Sequence, residues 1–331
     1  MSLAKHLDEN WLSMLAEIKP DELAPSLGSI VLAISEGISG ESKWPLHKPS
    51  TFLGLTELTD NFATIIRRVV EALRGGSVSL NMDMGSGKTH LLVLLLHLFA
   101  SLGLHPEQHG GFIEEYKTRT GYDESLAKRT IVIPVDLRTP KYFFRYLRLV
   151  EETLKALGES RAASIIEESI LRRKVPDPEN LAREVSDHLN FLILVDELYY
   201  AALACSEEER GLLKGILNFL LQFVNYRRMH CVDVKKKSGI FLIVASARRD
   251  FNRWVEVKSQ LSNLEFARSI ENFSDQLDRI KSLVETRWLS LSEAKRILER
   301  RLMLRQSFDD VFHKSFDRFI ERVIKEDTDV P

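Results

Sequence analysis

The chain has 331 residues, 44% hydrophobic and 28% charged, which excludes a disordered or low-complexity polypeptide and leaves apolar material for one large domain or two moderate ones. With 46 Lys+Arg against 48 Asp+Glu the formal net charge is -2, which excludes a protein that coats nucleic acid or an anionic membrane through overall charge. The cysteines, Cys205 and Cys231, form neither a CxxC pair nor a disulfide framework and read as small buried hydrophobes.

The start, Met1 to His6, lacks the apolar core of a signal peptide. The best apolar run, Leu91 to Ala100, contains His97 and is too short to span a bilayer, so a cytoplasmic protein with no membrane partner is expected. Residues 4–17 read as a helix with Trp11, Leu12 and Leu15 available to pack. Residues 20–54 carry scattered Pro and Gly and read as irregular, with one short strand or helix near Ile30–Ala33.

From 57 to 74 the apolar residues Leu58, Phe62, Ile65, Ile66, Val69 and Leu73 recur at the helical period and predict an amphipathic helix, stopped by Gly75-Gly76. A strand is expected at Ser77–Asn81, then a glycine-rich turn, then a very apolar helix from Thr89 or His90. A second strand is expected at Ile131–Val135, where Pro134 suits an edge or irregular position. Helices follow at 140–157, 160–173 and 178–188. A strand is expected at Phe191–Val195, a long helix at 207–228, and a strand at Ile240–Ala245.

Near-continuous apolar strands separated by helices imply a mostly parallel sheet covered on both faces. A fifth strand is sought at 254–259 or 264–271. Further on, Ser290-Leu291-Ser292-Glu293 is a capping box, followed by a helix burying Ala294, Ile297, Leu298 and Leu302, and a last helix covers about 313–325. The expected fold class is therefore α/β, on a mostly parallel five-stranded sheet, with a helical C-terminal region. The expected organisation is an N-terminal helical and irregular extension at 1–50, a core at 51–275 and a helical lid-like region at 276–331.

The turn after the first strand reads Met82-Asp83-Met84-Gly85-Ser86-Gly87-Lys88-Thr89. The phosphate-loop pattern G-x-x-x-x-G-K-[ST] is met at its G-K-T end, while Met82 stands at the first glycine position. Met84, Gly85, Ser86, Gly87, Lys88, Thr89 and His90 are the candidate nucleotide-binding residues. Small residues let the backbone amides close around a β-phosphate, and the following helix presents its positive end. Lys88 would reach the β- and γ-phosphates, and Thr89 would offer its hydroxyl to Mg²⁺.

The strand Phe191–Val195 runs into Asp196-Glu197, an acidic pair at the carboxyl end of a buried strand. Asp196 is the candidate metal residue and Glu197 the candidate base for an attacking water. Beyond the strand at Ile240–Ala245, Ser246 is placed to orient water or sense a γ-phosphate, with a local cap as the other reading. Arg248, Arg249 and Arg253 are candidate phosphate contacts, Arg248 counted among the catalytic residues, within the chain or across a subunit boundary. Asp136 is a candidate for the water network, and one of Arg300 and Arg301 for a lid contact. The absence of an N-K-x-D stretch favours ATP over GTP.

These residues carry a resemblance. Met84-Gly85-Ser86-Gly87-Lys88-Thr89-His90, Leu194-Val195-Asp196-Glu197 and Ala245-Ser246 resemble the additional-strand P-loop ATPases, close to the AAA+ group. More closely, the chain looks like the ATPase portion of the prokaryotic DUF499 family. Thr51-Phe52-Leu53-Gly54-Leu55-Thr56-Glu57-Leu58 is similar to the segment before that family's phosphate loop, and Leu289–Ala294 through Ile297 to Arg301-Leu302 to its post-sheet helix. The likeness covers roughly 50–305, and members are longer, so a short form or an ATPase portion is expected. The resemblance implies a P-loop NTPase three-layer sandwich with the P-loop ATPase core at 51–275, ATP and Mg²⁺ as cofactors, Lys88 and Thr89 on nucleotide and metal, Asp196 on the metal and Glu197 on the water. It also implies DNA-associated or defence-related work.

Two functional classes follow. One is an ATPase whose turnover drives a conformational change. The other is a nucleotide-dependent protein switch or scaffold with slow or no hydrolysis, for which Met82 leaves room. A small-molecule kinase is disfavoured, because the acidic pair suits water activation. The stretch 227–258 carries nine Lys/Arg against three Asp/Glu and offers a nucleic-acid surface, with a solvated turn as the plainer reading. A protein partner or homo-oligomer is a further expectation.

Overall fold

A computed structural model describes residues 26–36, 46–73, 87–101, 113–233, 239–246, 248–258 and 264–279, with 293, 296 and 297. Its centre is a parallel three-stranded sheet in the order β1 (Thr130–Asp136), β2 (Asn190–Asp196), β3 (Ile240–Ala245). The register pairs Asp136 with Asp196, and Asp196 with Ala245, so the carboxyl ends of the strands finish level with one another. Every residue of the strands is buried, as near-continuous apolar runs demand when both faces are covered. Pro134 lies on β1, at one end of the described order, as its missing amide favours.

Alternate residues of the strands feed two apolar cores. On one face, Val132, Leu192, Leu194, Phe241 and Ile243 pack with α1 (Leu27–Glu36), α2 (Pro49–Leu55), α3 (Asp60–Leu73) and α4 (Lys88–Leu96). The helix α4 continues as a π turn, His97–Ser101. Short helices α5 (Ile113–Thr120) and α6 (Glu124–Ala127) lead from that face into β1. On the other face, Ile131, Ile133, Phe191, Ile193, Leu242 and Val244 pack with α7 (Phe143–Ala156), α8 (Ser160–Arg172), α9 (Pro178–Glu184), α10 (Leu198–Ala204) and α11 (Glu207–Asp233).

The five-stranded P-loop NTPase sandwich is not what the described residues build: their sheet has three strands and the remainder is mostly helical. Both places considered for a fifth strand are helices, α12 (Arg248–Val257) and α13 (Leu264–Arg279). The reason is visible in α13, which buries Phe266, Ala267, Ile270 and Phe273 at helical spacing. In α12 the bulky Trp254 alone turns fully inward, while Val255 stays 45% exposed. The strand expected at 77–81 lies outside the described residues, as do the helices expected at 4–17 and 313–325 and most of the post-sheet helix.

In the segment 20–54 the short element expected near Ile30–Ala33 is the helix α1, and α2 is a further helix where irregular chain is expected; residues 20–25 and 37–45 lie outside the described residues. Helices α2 and α13 run across residues 50 and 275, where domain boundaries are expected. Glu293 of the expected capping box accepts from the Asp60 amide on Oε1 at 3.1 Å, at the start of α3; Ser290 lies outside the described residues. Cys205 is half-buried and unbridged. Among the described residues no helix is long and apolar enough to cross a membrane.

Candidate functional site

The carboxyl end of the sheet gathers the polar groups. Asp196 closes β2, is wholly buried, and accepts a hydrogen bond from Thr89 Oγ1 on Oδ2 at 2.8 Å across 107 residues of chain. Its Oδ1 is buried with no hydrogen-bond partner. One strand away, Ser246 is 2% exposed and its Oγ also lacks a partner. Orphan polar atoms in a buried site cost about 1–3 kcal/mol each, so such groups mark a place where something else completes the bonding.

The turn before α4 is described from Gly87, while Met84, Gly85 and Ser86 lie outside the described residues. Gly87 caps α4 with φ 74° and ψ 27°, and its carbonyl accepts from the Leu91 amide at 2.8 Å. A Cβ there would stand 3.1 Å from Phe62 Cζ. The conformation therefore favours glycine, and a Cβ would also ask Phe62 to give by a few tenths of an ångström. Lys88 opens the helix, is 8% exposed, and its charge acts on Glu197. Lys88, Thr89, Asp196 and Glu197, expected to work together, are brought to one end of the sheet.

Glu197 adopts φ 63°, ψ 41°, a left-handed conformation unusual for a residue with a side chain. The chain turns there from β2 into α10, and the Glu197 amide donates to Ala245 O at 2.9 Å. Burial raises the proton affinity of Glu197, against the opposing charges of Arg138 and Lys88. Asp196 is pushed up to about 7, chiefly by burial and then by the charges of Asp136 and Glu197.

His90 goes another way. Its Nε2 is 2.9 Å from Thr56 Oγ1, its ring stacks on Phe52 with centroids 4.6 Å apart, and Phe62 lies on it at 6.0 Å. Thr56 and Phe52, from the end of α2, thus grip His90 at the start of α4. Asp136, expected in a water network, is instead bound by Arg138 and by the Gly28 amide at 3.1 Å. Gly28 is forced by space, since a Cβ there would come within 2.4 Å of the Tyr146 hydroxyl.

Arg248 begins α12 beyond β3, and its side chain lies outside the described residues. Arg249 and Arg253 are exposed on the same helix, Arg249 beside Asp250 at 3.4 Å. Arg300 and Arg301 lie outside the described residues. Within the basic stretch, Arg227 is 1% exposed and donates to the carbonyls of Ala182, Val185, Ser186 and Leu189 at 2.6–3.2 Å. It is a structural clasp, not part of a surface for nucleic acid.

Arg138 was not among the expected residues. The signal available is an Asp-x-Arg spacing just past a buried strand, which lets a guanidinium fold back on the strand's last carboxylate. Among the described residues no group of three or more His, Cys, Asp or Glu is gathered as a metal cage. Mg²⁺ at a phosphate site asks for less, one or two protein ligands with phosphate and water oxygens completing the octahedron. The Thr89 hydroxyl against Asp196, with Oδ1 unsatisfied, fits that demand. Comparison with protein-family models, with curated proteins and with solved structures gives no match to this chain.

Proposed function

We propose that this chain binds ATP with Mg²⁺ at the carboxyl end of its sheet and hydrolyses the β–γ phosphoanhydride. The observation that carries the reading is the Thr89–Asp196 hydrogen bond. It joins the G-K-T end of the loop to the acidic end of β2, 107 residues away, as a shared metal requires.

In this reading the amides at the start of α4 and the Lys88 ammonium hold the polyphosphate. Thr89 and Asp196 would hold Mg²⁺, which supplies positive charge across the phosphate oxygens. Glu197, fixed at the turn after β2, takes the proton of the attacking water. Its proton affinity, raised by burial, favours taking up that proton. Ser246 offers its unpartnered hydroxyl to that water or to the terminal phosphate.

The resemblance to the ATPase portion of the DUF499 proteins supports the same chemistry and extends it to a DNA-associated or defence-related assembly, in which turnover drives a conformational change. Among the described residues of the stretch 227–258, Arg228, Arg249 and Arg253 are exposed cations available for such a contact. Phosphate release from ATP, measured with and without DNA, tests the proposal. Turnover that disappears in Glu197→Gln while ATP still binds supports it. Failure of the wild-type chain to bind ATP with Mg²⁺ would end it, and binding without turnover would leave a nucleotide-dependent switch.

A further inference from the structure

Arg138 has no part in the chemistry above, yet it stands among its carboxylates. The Leu137 amide donates to Asp196 O at 3.1 Å, which fixes residues 136–138 beside the end of β2. Arg138 Nε donates to Asp136 Oδ1 at 3.2 Å and Nη2 to Oδ2 at 2.9 Å. Its charge also acts on Asp196 and Glu197.

Asp136 does not depend on that guanidinium. Oδ1 accepts from the Arg138 amide at 3.0 Å and Oδ2 from the Gly28 amide at 3.1 Å. These backbone donors stay when the side chain leaves, so the buried carboxylate keeps a partner on each oxygen. The Arg138 side chain is 34% exposed, against 3% for Asp136. The pair is therefore a buried, independently held anion with a cation that has room to swing outward. A planar guanidinium binds phosphate oxygens in the same two-pronged way as a carboxylate.

We infer that Arg138 is a γ-phosphate contact: it rests on Asp136 in the nucleotide-free chain and turns to the terminal phosphate of a bound triphosphate. The inference rests on the nucleotide reading above and adds to it a residue that separates ATP from ADP. The direction of the swing follows from its neighbours. Asp196 and Glu197 are assigned to the metal and the attacking water, and both of those meet the substrate at its terminal phosphate. The β-phosphate is held from the other element, at the start of α4. ADP leaves Arg138 on Asp136.

The experiment is equilibrium binding of ATP and of ADP, each with Mg²⁺, to the wild type and to Arg138→Ala, Arg138→Gln and Arg138→Lys. Removing a charged hydrogen bond to the terminal phosphate is expected to weaken ATP about tenfold while ADP affinity stays put. Lys is expected to recover part of the loss and Gln little. Arg138→Gln keeps a donor for Asp136, so it serves if the alanine variant does not fold. Equal losses for ATP and ADP, or an ATP-to-ADP ratio unmoved in a folded variant, would overturn the inference and leave the nucleotide reading standing. A wild type that binds neither nucleotide sinks both.

Discussion

Asp136 and Asp196 stand opposite each other at the ends of neighbouring parallel strands, both essentially out of contact with solvent. Only Asp136 has a guanidinium bound to it. Burial and the neighbouring charge hold Asp196 at about 7 in the folded chain, against 3.8 for the free side chain. Between those values the folded chain keeps a proton that the unfolded chain has released. Stability from this group is therefore complete below about pH 4 and is lost as pH rises through 7. Asp196→Asn removes the titration and keeps an acceptor for Thr89. Its stability relative to wild type, without Mg²⁺, is expected to improve by about 2 kcal/mol between pH 5 and pH 8. Urea unfolding at the two pH values measures this, and a pH-independent difference would contradict it.

Glu197 combines a left-handed backbone with the proposed role of base, so stability and turnover are expected to part company there. A left-handed residue with a side chain costs about 1–2 kcal/mol relative to glycine's freedom in that region. Glu197→Gly is expected to raise stability by about 1 kcal/mol and to lower phosphate release by about 100-fold or more. Glu197→Gln is expected to lose turnover to the same extent with no gain in stability, since its φ stays at 63°. Thermal melts and steady-state phosphate release on both variants make the check. Equal stabilities would show that the turn carries no strain.

At Gly87 the backbone demand and the contact with Phe62 are separable. Gly87→Ala puts a Cβ into the left-handed region and 3.1 Å from Phe62 Cζ. A loss of about 1–2 kcal/mol is expected, with weaker ATP binding because the first turn of α4 must shift. Adding Phe62→Leu is expected to remove the contact and not the conformational cost, so the double variant recovers part of the loss. Complete recovery would mean that the contact alone matters.

What could be read beforehand was placement carried by neighbouring residues in the chain. G-K-T before an apolar helix, and Asp-Glu after an apolar strand, each declare themselves locally, and the structure joins them through Thr89 and Asp196. The long amphipathic α3 was legible for the same reason, because its period repeats over several turns. Legibility failed where the information is pairwise and distant. Gly28 reaches Asp136 across 108 residues, and no pattern in either segment announces it. His90 follows Thr89 and so was counted with the nucleotide residues, whereas Phe52, Phe62 and Thr56 claim its ring. The fifth strand was sought at 254–259 and 264–271, short stretches with scattered apolar residues. Which side of each residue packs decides between strand and helix there, and Phe266, Ile270 and Phe273 packing on one face gives helix.

Arg227 and Arg228 are adjacent in a basic stretch and have opposite surroundings. Arg228 is exposed, while Arg227 is buried under α9 with its guanidinium on the carbonyls of Ala182, Val185, Ser186 and Leu189 and 5.4 Å from the centre of the Phe191 ring. Those carbonyls end α9 and lead into β2, so Arg227 supplies the donors that the end of a helix lacks. Arg227→Ala leaves buried acceptors unsatisfied and is expected to cost about 3–5 kcal/mol. Arg227→Lys keeps the charge but presents it as one point where a fork is needed, and is expected to fall only part of the way back toward wild type. Arg228→Ala is expected to change stability by no more than about 0.5 kcal/mol. If DNA binds this face, Arg228→Ala weakens that binding without moving the melting temperature. Chemical denaturation of the three variants decides the first point and DNA titration the second; an Arg227→Ala chain as stable as wild type would contradict the clasp.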